Sequence, residues 1–296
     1  LKRSDDEQLR GNFDLNHSMF NNKLKFHLNG IFGKRKYWTG GDGYSFNTYI
    51  YRQALIRNPT DSVRHADGTY VKRDGYFYDN PVALLNGVDG NNTENTTRLN
   101  GSVIFNPIDG LNFKLLISQN TWTQLRGYAT KVDYPSNNQN GWGNSFASRG
   151  TSASTDKLLE FTTDYTRSIG LNNITLLGGY SYQYANDEGF WMNNWYFPTD
   201  VYGYSNIGAG NALTDGSARI SSNMSESKLI GFFGRINYNW NKKYLLMASL
   251  RREGSSKFGS NYRWGMFPAV SAGWRVSQEK FLQNSDISND LKLRAG

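Results

Sequence analysis

The stretch KLIGFFGRINYNWNKKYLLMASLRRE, residues Lys228 to Glu253, decides the fold because its apolar residues alternate with polar ones. From Ile230 to Trp240, every second residue is apolar or glycine, and Arg235 falls between them. After a short polar turn, the alternation resumes at Tyr244. A period of two residues over this length predicts two long β-strands joined as a hairpin. The apolar face of this hairpin must contact either a protein core or lipid.

The same alternation recurs along most of the chain. Many of these segments run for about ten residues or more, which is longer than the typical strand of a soluble protein and is the length that a tilted strand needs to cross a bilayer. The segments are 9–20, 23–32, 98–105, 111–118, 158–169 and 174–184.

The connections between these segments fall into two classes. Short polar turns are predicted at 21–22, 106–110, 170–173 and 241–243, and long loops at about 33–47, 126–155 and 186–225. Short turns at one end and long loops at the other are typical of an outer-membrane barrel, and aromatic residues near strand ends suit the membrane interfaces. The pattern therefore predicts an all-β, antiparallel transmembrane barrel. A large soluble β-sandwich or propeller remains the alternative.

Composition excludes several other classes of protein. The 296 residues include no Cys, which excludes disulfides and thiolate metal sites. The mean hydropathy is −0.66, and no apolar run approaches the ~18 residues of a membrane helix. The net charge of +8 comes from scattered basic residues that form no continuous stripe, so we expect no nucleic-acid partner.

The polar residues predict no catalytic residues, no metal site and no cofactor. The three histidines, His17, His27 and His65, are far apart and lack metal-ligand spacing. The stretch that begins at Asp89 resembles a calcium loop only faintly and lacks the Glu that closes such a loop. We therefore do not expect an enzyme.

The long loops are rich in aromatic residues. Aromatic rings beside Asn and Asp side chains can stack on sugar rings or hold peptide side chains, and packing against a partner or against each other is the alternative. We expect the loop at 186–225 to fold over the mouth of the barrel. The candidate ligand or partner contacts are Trp142, Phe146, Trp191, Trp195, Tyr196, Phe197, Tyr202 and Tyr204.

The parity of each strand residue predicts which side of the barrel it faces. Apolar residues of one parity should face lipid: Phe232, Ile236, Leu246, Leu250 and Val270. Polar residues of the other parity should face the lumen and a plug, because a charged group on the lipid side is costly. These residues are Arg235, Asn237, Ser249, Arg251, Ser271 and Arg275.

The C-terminal region carries a resemblance to a known family. The run YLLMASLRREGSSKFGSNYRWGMFPAVSAGWRVSQEKF (Tyr244–Phe281), followed by LKLRAG (Leu291–Gly296), resembles the SusC/RagA family of TonB-dependent outer-membrane transporters from Bacteroidetes-type bacteria. The shared features are a strand ending in Leu-Arg, a Gly-Ser-Ser turn, and the runs Arg-Trp-Gly, Phe-Pro and Ser-Ala-Gly-Trp. The segments NPTDSVRHADGTY, DNPVALL and ESKLIGFFGRINYNW also resemble family segments, in the same order.

The resemblance implies the architecture and the partners of the whole protein. The family barrel has about 22 strands and a plugged lumen. We count roughly eleven or twelve strands and expect residues 1–296 to be one internal piece, about half a barrel, with the plug and the TonB-interacting segment outside it.

The implied function is TonB-dependent import of a nutrient, an oligosaccharide or alternatively an oligopeptide, across the bacterial outer membrane. A SusD-like surface lipoprotein, the TonB complex and outer-membrane lipid are the implied partners. A non-transporting barrel scaffold or adhesin and a soluble carbohydrate-binding β-protein remain alternatives. Plug and TonB-box sequence in the whole protein would separate a transporter from a scaffold.

Overall fold

A single antiparallel sheet dominates the computed structural model, which describes residues 5–38, 50–72, 79–135, 137, 143–282 and 290–296. Within these ranges, ten strands follow one another in chain order, and each pairs with the next. The strands are β1 (Asp6–Met19), β2 (Leu24–Trp38), β3 (Val88–Phe105), β4 (Leu111–Thr130), β5 (Phe146–Ile169), β6 (Asn172–Trp195), β7 (Arg219–Trp240), β8 (Tyr244–Ser255), β9 (Trp264–Arg275) and β10 (Lys292–Ala295).

Tight turns join the strands at one end of the sheet, as the sequence predicts. Asn21 and Asn22 adopt φ of 54° and 65°, and Gly170 adopts φ of 57°. Asn tolerates the left-handed region better than most residues and Gly enters it freely, so these sequences suit tight hairpins.

One face of the sheet, the banded face, carries a continuous apolar band next to the tight turns. A single row across five paired strands consists of Val103, Leu115, Phe161, Tyr180 and Phe232. Most of the band is exposed, as a surface that contacts lipid should be, and none of the described residues form a core over it. The exposed side chains include all five that the sequence predicts to face lipid, Phe232, Ile236, Leu246, Leu250 and Val270. The predicted fold class, an antiparallel partial barrel, is confirmed.

The strands extend well beyond this band, which the sequence did not predict. Both β5 and β6 have 24 residues, whereas crossing a bilayer takes about 9–11. In the extended half, which is the part of the sheet beyond the band, the banded face becomes polar, as in the Thr121–Thr155–Asn186 row. The loops expected at 126–155 and 186–225 shrink to 131–145 and 196–218. In the expected loop at 33–47, β2 continues to Trp38, and 39–49 lies outside the described residues.

A helical insertion between β2 and β3 packs on the opposite face of the sheet, the polar face. It contains α1 (Ile50–Ile56) and α2 (Pro81–Asn86). The side chain of Asn80 caps α2 by accepting from the amides of Val82 and Ala83, and its amide group donates to the carbonyl oxygens of Val63 (2.8 Å) and Val71 (3.3 Å). The insertion then buries a small core at the long-loop end, formed by Ile50, Leu84, Val88, Tyr128, Tyr134 and Phe146.

In the described residues, no helix has the length and apolar character needed to span a membrane.

Candidate functional site

The polar residues predicted to face the lumen share the polar face of the sheet. Arg235 lies opposite Ser249, and Arg251 lies opposite Phe233, all away from the apolar band. The Nε of Arg251 donates to Glu253 Oε1 at 2.5 Å, and its guanidinium lies 5.2 Å from the centre of the Phe233 ring. By the same register, Asn237, Ser271 and Arg275 lie on this face too. Their contact with a plug stays a prediction.

A groove around Trp191 lies on the polar face in the extended half. It encloses about 380 Å³ and is lined by residues of β4, β5, β6 and β7. The Trp191 side chain is 41% exposed, although it sits in a regular strand. Gly150 lies directly opposite it, and a Cβ on that glycine would approach Trp191 Cβ to 3.1 Å. Because a Cβ there would also lie 2.9 Å from the carbonyl oxygen of Phe190, a glycine suits this close approach of the two strands. We call this site the Trp191 groove.

The polar lining of the Trp191 groove consists of amides and one guanidinium. Arg126 and Asn223 are exposed, and Asn193 is half-buried. Gln124 Nε2 donates to Glu94 Oε1 at 3.1 Å and to Tyr37 Oη at 3.2 Å. Such groups can donate hydrogen bonds to hydroxyl or carbonyl oxygens of a ligand, and the carbonyl oxygens of the amides can accept them.

Gln124 belongs to a polar network that fixes the edge of the groove. The Tyr37 hydroxyl donates to Glu94 Oε1 at 2.8 Å. Burial raises the pKa of Tyr37, and its hydrogen bond to Glu94 raises the pKa further. Tyr37 therefore stays a protonated donor at neutral pH, and Gln124 is held in one orientation.

A second, smaller cavity of about 270 Å³ continues the polar face toward β1. Its lining includes Arg10, Arg35, Glu94 and Arg98. Arg35 pairs with Asp6 at 2.6 Å and lies 3.9 Å from Glu94, and Arg98 donates to Asn120 at 3.2 Å. The lining therefore has more positive than negative charge.

The core under the helical insertion covers two of the predicted aromatic contacts, Phe146 fully and Trp195 in part. Phe146 is 1% exposed and meets Tyr128 edge-on, with ring centres 6.1 Å apart, in the core under the helical insertion. Trp195 is half-buried against the same core. In this structure Phe146 is not accessible to a ligand, because the helical insertion, and not a ligand, supplies its apolar partners.

The 196–218 loop packs against the banded face at the long-loop end of the sheet. Phe197 is buried against Ala129 and Ala147, which have the parity of the banded face. Tyr204 packs where a side chain on Gly127 would otherwise lie, and its ring is 6.0 Å from the Arg149 guanidinium. These contacts place the described part of the loop on the banded face, and its fold over the mouth of the barrel stays a prediction. Phe197 and Tyr204 pack against small residues of the banded face.

The remaining predicted contacts are less informative. Tyr196 and Tyr202 belong to the same loop and are each 40% exposed. Trp142 lies outside the described residues. Among the aromatic residues predicted to contact ligand or partner, Trp191 alone of those described is both on the polar face and largely exposed.

For the residues that the structure covers, no group of three or more potential ligands could hold a metal ion. His27 instead bonds to a carboxylate, with its Nε2 2.7 Å from Asp14 Oδ2.

Sequence reasoning missed Gln124, Arg126, Asn193 and Asn223 as lining residues of the groove. The helical insertion could have been found, because Asn80 followed by Pro81 is a typical helix start. The groove residues carry no such signal, because they converge only through the register of four strands.

Known proteins resemble this chain in sequence and in fold. It is 33% identical over 258 residues to the TonB-dependent receptor P3 of Formosa agariphila. The matched region covers 87% of this chain and 25% of the relative. It is 25% identical over 325 residues to the TonB-dependent receptor SusC of Bacteroides thetaiotaomicron, covering 100% of this chain and 30% of SusC. No protein-family model matches the chain.

The fold comparison agrees with the sequence comparison. The structure of the RagAB peptide transporter superposes with a TM-score of 0.78 and 19% identity, covering 98% of this chain and 32% of the matched one. The chain spans about a quarter of the length of the first curated relatives that it matches, 25% and 26%.

These similarities and the banded sheet define a class: the chain is a section of a TonB-dependent outer-membrane β-barrel. Within that class it is SusC/RagA-like, which confirms the resemblance predicted from the C-terminal run. The P3 and SusC relatives are TonB-dependent receptors, and RagAB is a peptide transporter.

Proposed function

We propose that the protein imports an oligosaccharide across the outer membrane in a TonB-dependent cycle, with the Trp191 groove as one contact site on the ligand's path. Binding and gated passage then make up the activity, with no chemical reaction. The observation that carries the proposal is an open indole on the polar face of a SusC/RagA-like barrel, in the half of the strands beyond the lipid band.

The chemistry of the groove favours a sugar over an apolar ligand. The negative face of an indole attracts the weakly positive C–H groups of a pyranose ring, and the ring contributes a large contact area. Arg126, Asn193 and Asn223 surround it with groups that suit hydroxyls. A peptide backbone offers oxygen and nitrogen atoms too, so oligopeptide import is the alternative outcome of the test below.

The proposed transport cycle needs partners beyond this chain. We propose that a SusD-like surface lipoprotein covers the long-loop end of the barrel, and that the TonB complex supplies energy through a segment outside the described residues. The polar face would line the lumen, with Arg235, Asn237, Ser249, Arg251, Ser271 and Arg275 toward a plug. Long loops are expected on the extracellular side of such barrels, which supports placing the surface lipoprotein at the long-loop end.

Binding measured by calorimetry tests the proposal. The full-length protein with its lipoprotein should be titrated with panels of oligosaccharides and of oligopeptides. We expect Trp191→Ala to weaken binding of the oligosaccharide by about tenfold or more, since losing a stacked aromatic contact costs on the order of 1 kcal/mol beyond its buried area. Trp191→Phe should restore part of the affinity.

Tyr202→Ala is the matched control. Tyr202 is 40% exposed, almost the same as Trp191, but its loop packs on the banded face. The control should bind like the unmodified protein. If only oligopeptides bind, the proposed substrate becomes an oligopeptide. Equal losses of affinity in the Trp191→Ala and Tyr202→Ala variants would contradict the Trp191 groove as the contact site.

A further inference from the structure

A cluster of charged residues borders the apolar band where it ends on the outer surface of the barrel. Lys157 of β5, Tyr184 of β6 and Lys228 of β7 lie in one row of the sheet, each directly opposite the next. All three have the parity of the banded face. The adjacent row toward the tight turns is apolar, with Leu159, Tyr182 and Ile230. We call Lys157, Tyr184, Lys228 and Glu226 the rim cluster.

The rim cluster holds its two ammonium groups beside one aromatic ring. The Nζ of Lys157 lies 5.6 Å from the centre of the Tyr184 ring, and the Nζ of Lys228 lies 5.8 Å from it. Within about 6 Å, the negative face of a ring attracts a cation, so Tyr184 keeps both ammonium groups close to its ring.

Glu226 neutralises only part of this charge. Its carboxylate lies 2.7 Å from Lys228 Nζ and accepts from the Tyr184 hydroxyl at 3.1 Å. Lys157 has no ion-pair partner among the residues that the structure covers. The rim cluster therefore keeps a net positive charge, and a further cation lies on β8 opposite Phe232, where the Arg252 guanidinium sits 4.8 Å from the centre of the Trp264 ring.

The location of these cations determines which anion can reach them. A lysine on the lipid-facing side of a barrel is tolerated where its ammonium group reaches the polar headgroups. At this border of the band, the groups next to a lysine ammonium are the headgroups of the lipids whose acyl chains cover the band. Long loops mark the outer side of such barrels, so this border lies in the outer leaflet. The outer leaflet of a bacterial outer membrane carries phosphorylated glycolipid.

We propose that the rim cluster is a binding site for a phosphate group of a phosphorylated lipid A headgroup in the outer leaflet. Two lysines that flank one ring supply two positive charges and several N–H donors, which suit the oxygens and the charge of a phosphate monoester. The acyl chains of the same lipid would lie along the apolar rows that begin at Tyr182 and Ile230.

Retention of defined lipids tests the proposal. The full-length protein in detergent should be mixed with phosphorylated lipid A and, separately, with dephosphorylated lipid A, and the bound lipid should be counted by native mass spectrometry. We expect the unmodified protein to retain phosphorylated lipid A preferentially. The double variant Lys157→Gln/Lys228→Gln should lose that preference, with a fall of about tenfold in retained phosphorylated lipid and little change for the dephosphorylated form.

Lys114→Gln is the control for charge alone. Lys114 is exposed on β4, but it has the parity of the polar face. This variant should retain phosphorylated lipid A like the unmodified protein. The proposal is overturned if the double variant keeps the preference, or if Lys114→Gln loses it to the same extent. Because retention is measured without ligand uptake, either result leaves the import proposal to be judged separately.

Discussion

The two halves of the same strands differ in how their sequence relates to their environment. In the half next to the tight turns, β5, β6 and β7 alternate between apolar and polar residues, and the apolar residues form the exposed band. In the extended half, both faces carry polar residues, and only local patches are apolar. The difference teaches that a strand needs to alternate between apolar and polar residues only along the part of its length that contacts lipid.

The extended half should show the largest effect of a single substitution. Phe146→Ala removes a fully buried ring from the core under the helical insertion, which should cost about 3–5 kcal/mol of local stability. Hydrogen exchange measured by mass spectrometry should show faster exchange in α1, α2 and the ends of β4 and β5.

Phe190→Ala is the matched control for this substitution. Phe190 lies in the same half but is exposed and has the parity of the banded face. We expect little change in exchange. Equal acceleration in both variants would mean that the two faces of the extended half are packed alike, contrary to the structure.

An arginine on the banded face should destabilise the protein much more in the half next to the tight turns than in the extended half. Ile236→Arg, in the band of β7, should destabilise the full-length protein in lipid vesicles by about 2–4 kcal/mol, because an arginine there faces hydrocarbon. Met224→Arg changes the same face of the same strand, but twelve residues further along and in the extended half. It should cost little, since the side chain stays in water. Denaturant unfolding in vesicles measures the loss of stability in both variants. A large loss for Met224→Arg would mean that lipid also covers the extended half.

A smaller effect is expected at the tight-turn end, where Glu279 joins three neighbours. Its carboxylate accepts from Lys243 Nζ (3.0 Å), Tyr244 Oη (2.8 Å) and Trp274 Nε1 (3.1 Å). These hydrogen bonds, above all the one from Lys243, lower the pKa of Glu279 from 4.5 to about 2. A lowered pKa means that the stabilisation is present above pH 4.5 and is lost as the pH falls toward 2.

Glu279→Gln should therefore lose part of the acid sensitivity of the protein. The melting temperature of the unmodified protein should fall more between pH 6 and pH 3 than that of the variant. Parallel falls in the two proteins would show that the carboxylate charge of Glu279 contributes nothing in this window.

The sequence predicted the banded half well because a physical constraint acts there on every second residue. Ile236 and Leu246 could be assigned to the exposed face from parity alone, and the exposed apolar band agrees. The tight turns could be predicted for a similar reason, since Asn21, Asn22 and Gly170 suit left-handed backbone.

The extended half could not be predicted in the same way. Without lipid on one side, a long polar strand has the composition of a loop. The sequence therefore predicts β5 and β6 to be shorter than they are. The apolar alternation of β6 does not continue beyond Tyr184, so the sequence names Trp191 as a contact but does not assign it to a face. The opposite faces of Trp191 and Phe197, six residues apart, emerge only from the register with β5 and from the turn after Trp195.

Collision rates of nitroxide labels along β7 test the central claim, that lipid covers the banded face only in the half next to the tight turns. The chain contains no Cys, so labels can be attached one at a time at positions 236 and 224, with any cysteine elsewhere in the full-length protein replaced. We predict that the label at Ile236 collides more often with oxygen, which dissolves in lipid, than with a water-soluble nickel complex. The label at Met224, on the same face, should show the reverse order. The same order at both positions, in either direction, would contradict the account.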